Sequence, residues 1–116
     1  MDLGAKDRIE VALSLLESCC VKSDVDAVVK AACQACGVFE EDNSSRNGIV
    51  DARRIIAYSL SRAGLHDGRI AGVIGRTRTT AIYMRNTMQD ALALPASNPA
   101  LVSRFTRFNE LLYATH

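Results

Sequence analysis

The stretch His66-Asp67-Gly68-Arg69-Ile70-Ala71-Gly72-Val73-Ile74-Gly75, followed at once by Arg76-Thr77-Arg78-Thr79-Thr80-Ala81, decides the fold. His66-Asp67 has the polar character of a helix cap, and Ile70, Val73 and Ile74 form one buried side of a short helix. Gly75 breaks that helix. A longer one then runs from about Thr79 to Leu92, with Ala81, Met84, Met88 and Ala91 repeating at helical spacing. Leu94-Pro95 ends it. Two helices joined by a tight glycine-containing turn have the outline of a helix-turn-helix.

Helical periodicity extends outward in both directions. Upstream, Ile49–Ala63 places Ala52, Ile55, Ile56, Leu60 and Ala63 inward, and shows Arg54, Tyr58 and Arg62 on the outer face at steps of four. Gly64 closes that segment as a C′ glycine. The polar run Glu40-Glu41-Asp42-Asn43-Ser44-Ser45-Arg46-Asn47-Gly48 reads as a loop. Before it, a helix opens at Ser23 with capping-box spacing to Asp26 and stops at Gly37. Ala5–Cys20 forms the first helix. Downstream, Asn98-Pro99 supplies an N-cap and an N1 proline to a last helix striped with Leu101, Phe105, Phe108 and Leu112. The expected fold is all-α, with five to six helices in a single domain over 1–116. It divides into an N-terminal helical pair (1–37), the basic loop, long helix and helix-turn-helix (38–94), and an amphipathic C-terminal helix (95–116).

The chain has 116 residues, 48% of them hydrophobic and only 5% aromatic, a balance suited to Ala/Leu/Ile/Val helix packing. No run has the length of a membrane span, and Met1-Asp2-Leu3 opens no signal peptide, so a cytoplasmic protein is expected. The net charge of +1 conceals a gradient. Residues 1–43 hold four basic and nine acidic groups, whereas residues 44–90 hold eight Arg, three Asp and no Lys. A basic middle segment in an otherwise acidic small protein is the electrostatic footprint of phosphate contact.

Cys19, Cys20, Cys33 and Cys36 invite a zinc or dithiol reading, but all four fall on apolar helical stripes. Core packing is expected, with no metal site and no cofactor. His66 reads as a cap and His116 is the last residue, which leaves no catalytic residue to nominate. Gly72-Val73-Ile74-Gly75-Arg76-Thr77 echoes a phosphate loop only faintly, because Ile70 stands where the first glycine belongs and Arg replaces Lys. An enzyme is not expected.

The start of the second helix of the pair carries the functional reading. Arg76-Thr77-Arg78-Thr79-Thr80 places guanidiniums, hydroxyls and unpaired backbone N–H groups at one N-terminus, where a recognition helix meets base edges and phosphates. One of Thr77 and Thr79 is expected to serve as the N-cap. Two arginines at the positive end of a helix dipole are unfavourable without an anionic partner.

Residues from about Gly37 to Leu92 resemble the C-terminal DNA-binding domain of the bacterial replication initiator DnaA, a helix-turn-helix of the Trp-repressor type. Val50-Asp51-Ala52-Arg53-Arg54-Ile55-Ile56-Ala57-Tyr58-Ser59-Leu60 is similar to the Arg-containing long helix of that family. Ile70–Arg76 followed by Thr77-Arg78-Thr79-Thr80-Ala81 matches the short helix and the signature that opens the recognition helix. The resemblance implies that Thr77, Arg78 and Thr79 face the major groove and that Thr80 contacts phosphate or caps the helix. It implies that Arg46 enters the minor groove and that Arg54 and Arg62 contact phosphate. Arg76 and Tyr83 are expected beside the major groove, and Arg53 on the backbone. Thr77-Arg78 stands where the family has Asp-His, so the initiator's own target site is not implied. The expected function is sequence-specific binding of double-stranded DNA by a nucleoid-associated bacterial protein, as a transcription or replication accessory factor. A homodimer reaching two half-sites and a monomer anchored also by Arg46 both fit. The alternative is a helical protein–protein interaction module.

Overall fold

The computed structural model describes residues 21–38 and 47–114. They form five α-helices: α1 (Val21–Cys36), α2 (Asn47–Arg62), α3 (Asp67–Ile74), α4 (Arg78–Ala93) and α5 (Pro99–Ala114). A 3-10 turn, Pro95–Ser97, links α4 to α5. The all-α expectation holds, and the described residues include no strand. The helix expected over Ala5–Cys20, and residues 40–46 of the expected loop, lie outside the described residues. Two boundaries shift. Helix α1 is already formed at Val21, so Ser23 sits inside it and cannot be its cap. Helix α2 starts at Asn47, two residues before the apolar pattern begins.

That early start follows from how α1 meets α2. The chain leaves α1 through Gly37 in the left-handed region, and Val38 N–H donates to the Cys33 carbonyl at 3.0 Å. Val38 then packs on Gly48. A Cβ at Gly48 would lie 2.9 Å from Val38 Cγ1 and 3.1 Å from the Cys36 carbonyl oxygen, so only glycine permits the approach. At the far ends, Val28 shares a cleft with Tyr58 and Ala63, so α1 and α2 run antiparallel. Helix α5 reaches Asn47 and Asp51 with Arg104 and Arg62 with its final turn, so it runs alongside α2 in the same direction.

Helix α2 is the centre of the molecule. It buries Ile49, Asp51, Ala52, Arg53, Ile55, Ile56, Ala57 and Leu60, positions that occupy most of its circumference rather than one stripe. Helices α1, α3, α4 and α5 all pack on it. Its alanines, with Ala32 of α1 and Ala81 of α4, are completely buried and let backbones approach closely. The larger fillers are Ile55, Ile70, Met88, Leu101 and Phe108. Cutting Phe108 back to Ala would cost about 3–5 kcal/mol by this logic. Ala63, expected inward, is exposed because α2 ends one residue earlier, at Arg62. Cys33 and Cys36 are buried in the core as free thiols, and burial pushes the Cys36 thiol up to about 11. Among the described residues no group of side chains could hold a metal ion, and no helix is long and apolar enough to cross a membrane.

A charged hub is buried between α2 and α5. Asp51 accepts from Arg54 at 3.0 Å and from Arg104, 53 residues away in sequence, at 2.6 Å. The Arg104 guanidinium also approaches the Asn47 carbonyl at 3.5 Å, which ties α5 to the first turn of α2. The carboxylate and the two guanidiniums stabilise one another as a set, because deleting the carboxylate leaves two partly buried cations facing each other. Asp51→Ala should lower the unfolding free energy by about 2–3 kcal/mol, less than for a fully enclosed pair because Arg104 keeps some solvent contact. Urea denaturation checks this, with a midpoint shift at unchanged slope as the expected result.

Candidate nucleic-acid interface

The turn between α3 and α4 is built from three residues, Gly75, Arg76 and Thr77. Gly75 adopts φ 66°, ψ 37°, a left-handed conformation that closes α3 without a Cβ penalty. Its N–H and that of Arg76 both turn back to the Ala71 carbonyl. The chain then goes extended at Thr77 (φ −76°, ψ 162°), whose Oγ1 accepts from the Thr80 N–H at 3.2 Å. Thr77 is therefore the N-cap and Arg78 the first residue of α4. At the other end of α3, His66 caps in the same way, its Nδ1 accepting from the Arg69 N–H at 3.3 Å.

An ion pair braces the two helices against each other. Arg85, two turns into α4, forks onto Asp67 at the start of α3, with Nε–Oδ1 2.9 Å and Nη2–Oδ2 3.3 Å. The hydrogen bond from Arg85 holds the Asp67 carboxyl below its ordinary value, with the positive charges of Arg85 and Arg78 adding to it. Arg85 Nη1 also donates to Asn86 Oδ1 at 3.2 Å. The inner side of α4, formed by Ala81, Met84, Met88 and Ala91 as expected, packs on α2. Its outer side shows Arg78, Thr79, Tyr83, Asn86, Gln89 and Asp90. Tyr83 is 61% exposed.

The expected site residues separate into two groups. Arg78, Thr79 and Tyr83 lie together on the exposed face of α4. Thr77 and Thr80 stand at its head, their hydroxyls 3.0 Å apart. Thr77 is committed to the cap, so its side chain is not free for a base edge. Arg76 is half-buried, and its Nη1 folds back onto the Gly75 carbonyl at 2.9 Å. Arg78 makes no ion pair among the described residues.

Three arginines of α2 do not join that surface. Arg53 is 5% exposed, because α2 is enclosed on most sides, and it cannot hold a DNA backbone. Arg54 is half-buried and paired with Asp51, so its charge serves the α2–α5 contact. Arg62 is exposed but turned elsewhere. It donates to the Tyr58 hydroxyl at 2.9 Å and stacks over the Tyr58 ring, beside a cleft lined by Phe105, Leu112 and Tyr113 of α5. Its sequence neighbour Ser61 instead shares a depression with His66, Asp67, Arg78 and Arg85. Arg46 lies outside the described residues. Two polar residues of this end, Arg69 and Asn86, were not singled out from the sequence and are exposed. Asn86 follows Thr79 by seven residues, a spacing that periodicity could have flagged.

No family model matches the chain, and comparison with curated proteins and with solved structures finds no match.

The brace has a pH signature. The folded-state value of Asp67 is depressed, so its stabilisation is fully present above the unfolded value of 3.8 and fades as pH falls through the folded one. NMR titration of the Asp67 carboxyl should give a midpoint below 3.8, and Arg85→Ala should move it upward. Asp67→Asn should flatten the acid limb of the stability profile between those two values.

Proposed function

We propose that the protein binds double-stranded DNA sequence-specifically through the α3–α4 helix-turn-helix, with the N-terminal half of α4 in the major groove. The observation that carries the reading is the head of α4. Arg78 and Thr79 project from the first turn of a helix whose angle to α3 is held by the Arg85–Asp67 fork. A cation at that end of a helix dipole is destabilising by itself and becomes favourable when a phosphate or guanine edge sits against it. The resemblance of residues 37–92 to the C-terminal domain of DnaA supports the same reading. A nucleoid-associated transcription or replication accessory factor, as monomer or homodimer, is the role that fits it.

A second reading has its own observation. The cleft of about 390 Å³ between α1, α2 and α5 is lined by Val28, Tyr58, Phe105, Leu112 and Tyr113, and Tyr113 is 73% exposed. Such a surface fits a protein partner.

Binding to duplex DNA across a salt series separates the two. Each phosphate neutralised contributes about 0.9 to the log–log slope, and the arginines of α3, the turn and α4 account for about two to four contacts, so a slope of about −2 to −4 is expected. Arg78→Ala should weaken the specific complex by about 1–3 kcal/mol. Arg54→Ala should reduce stability while leaving affinity unchanged. Absence of duplex binding at low salt would leave the protein-partner reading.

A further inference from the structure

We propose that Asn86 reads an adenine in the major groove, with the Asp67–Arg85 pair positioning its carboxamide. The inference rests on the duplex-DNA reading above and adds a base identity to it.

Position comes first. With 100° per residue, Asn86 lies seven residues and about 20° from the line of Thr79, and three residues beyond Tyr83. All three side chains stand on the exposed face of α4. Asn86 is exposed, and a mid-helix asparagine is a poorer helix former than alanine, so the fold itself gains little from it.

Orientation comes second. A carboxamide on a helix surface ordinarily rotates and can present either end outward. Here Arg85 Nη1 donates to Asn86 Oδ1 at 3.2 Å, while Arg85 is itself held by the two-bond fork from Asp67. The contact fixes which end is oxygen. Oδ1 keeps a second lone pair and Nδ2 keeps both hydrogens. Adenine presents an N6 donor beside an N7 acceptor, the complement of that pair. Guanine presents two acceptors, which would set its O6 against Oδ1.

Spacing and charge set the footprint. Arg78 and Asn86 are eight residues apart, about 12 Å along the helix, or about three to four base steps of ~3.4 Å. One turn further, Asp90 is exposed and carries a negative charge that disfavours phosphate. The C-terminal turn of α4 therefore leaves the groove.

The test is selection of bound duplexes from a random pool with the full chain, followed by binding of the selected site and its single-base variants. The expected consensus pairs a guanine with an adenine three to four steps away. Asn86→Ala should lose the preference for that adenine, about tenfold. It should keep its affinity for non-specific duplex and its salt slope, with a thermal midpoint no lower than that of the parent. Asn86→Asp should move the preference toward cytosine, whose N4 is a donor. Arg85→Ala should blunt the adenine preference while leaving the guanine preference in place, a readout that looser α3–α4 packing alone would not separate. Binding with no adenine at that spacing, or with an adenine preference that survives Asn86→Ala, overturns the assignment of Asn86 alone. No duplex binding at low salt overturns the DNA reading and this inference with it.

Discussion

Everything in this structure depends on enclosing α2. A helix that packs against four others cannot follow the one-stripe pattern of a surface helix, and α2 buries residues on most of its circumference. Burial on that scale traps polar side chains as well as apolar ones. Asp51 and Arg53 are 6% and 5% exposed, and a charge so placed must be neutralised within the protein. Asp51 meets this need with Arg54 from its own helix and Arg104 from α5. The ion pairs are thus a consequence of where α2 sits. They also choose the path of α5, because Arg104 reaches the hub only when α5 lies alongside the N-terminal half of α2.

The same constraint explains what could and could not be read from the residues. Local rules worked where local physics decides. The left-handed Gly75, the Thr77 cap, the Asn98 cap, whose Oδ1 accepts from the Leu101 N–H at 3.2 Å, and the inner face of α4 were all legible as spacing. The roles of the arginines were not. Arg54 looks solvent-facing on a helical wheel, since the wheel assumes one buried side and cannot show a fifth helix packed on the next one. Its partner Asp51 also pairs with Arg104, 53 residues later, and nothing in the spacing joins them. Helix ends failed more gently. Ser23 has the chemistry of a cap, but the helix had already begun.

Counting charges by segment overstates the cationic surface for a related reason. Residues 44–90 are strongly basic, yet Arg53 is buried and Arg54 and Arg85 each face an aspartate. Arg62 lies over Tyr58 on the side of the cleft with α5. Among the described residues, what remains of that segment is Arg69, Arg76 and Arg78, with Arg78 at the head of α4. A small patch gives weak salt-dependent attraction, so discrimination between DNA sequences would have to come from the side chains along α4 rather than from bulk charge.

Arg85, not Arg78, holds Asp67. Both guanidiniums lie close enough to that carboxylate to lower its pKa, and both line the same depression. Arg85 holds the carboxylate through two hydrogen bonds at 2.9 and 3.3 Å, whereas Arg78 contributes only through space. A bidentate fork is the stronger claim on a carboxylate, so it settles the competition. Without Arg85, the Asp67 charge would lie open beside the head of α4, able to repel an anion approaching it. The brace between α3 and α4 and the neutralised carboxylate beside the head of α4 are therefore two results of one ion pair. Removing Arg85 would be felt at the surface as the loss of its own charge beside an Asp67 left open, while Arg78 keeps its place on the first turn of α4.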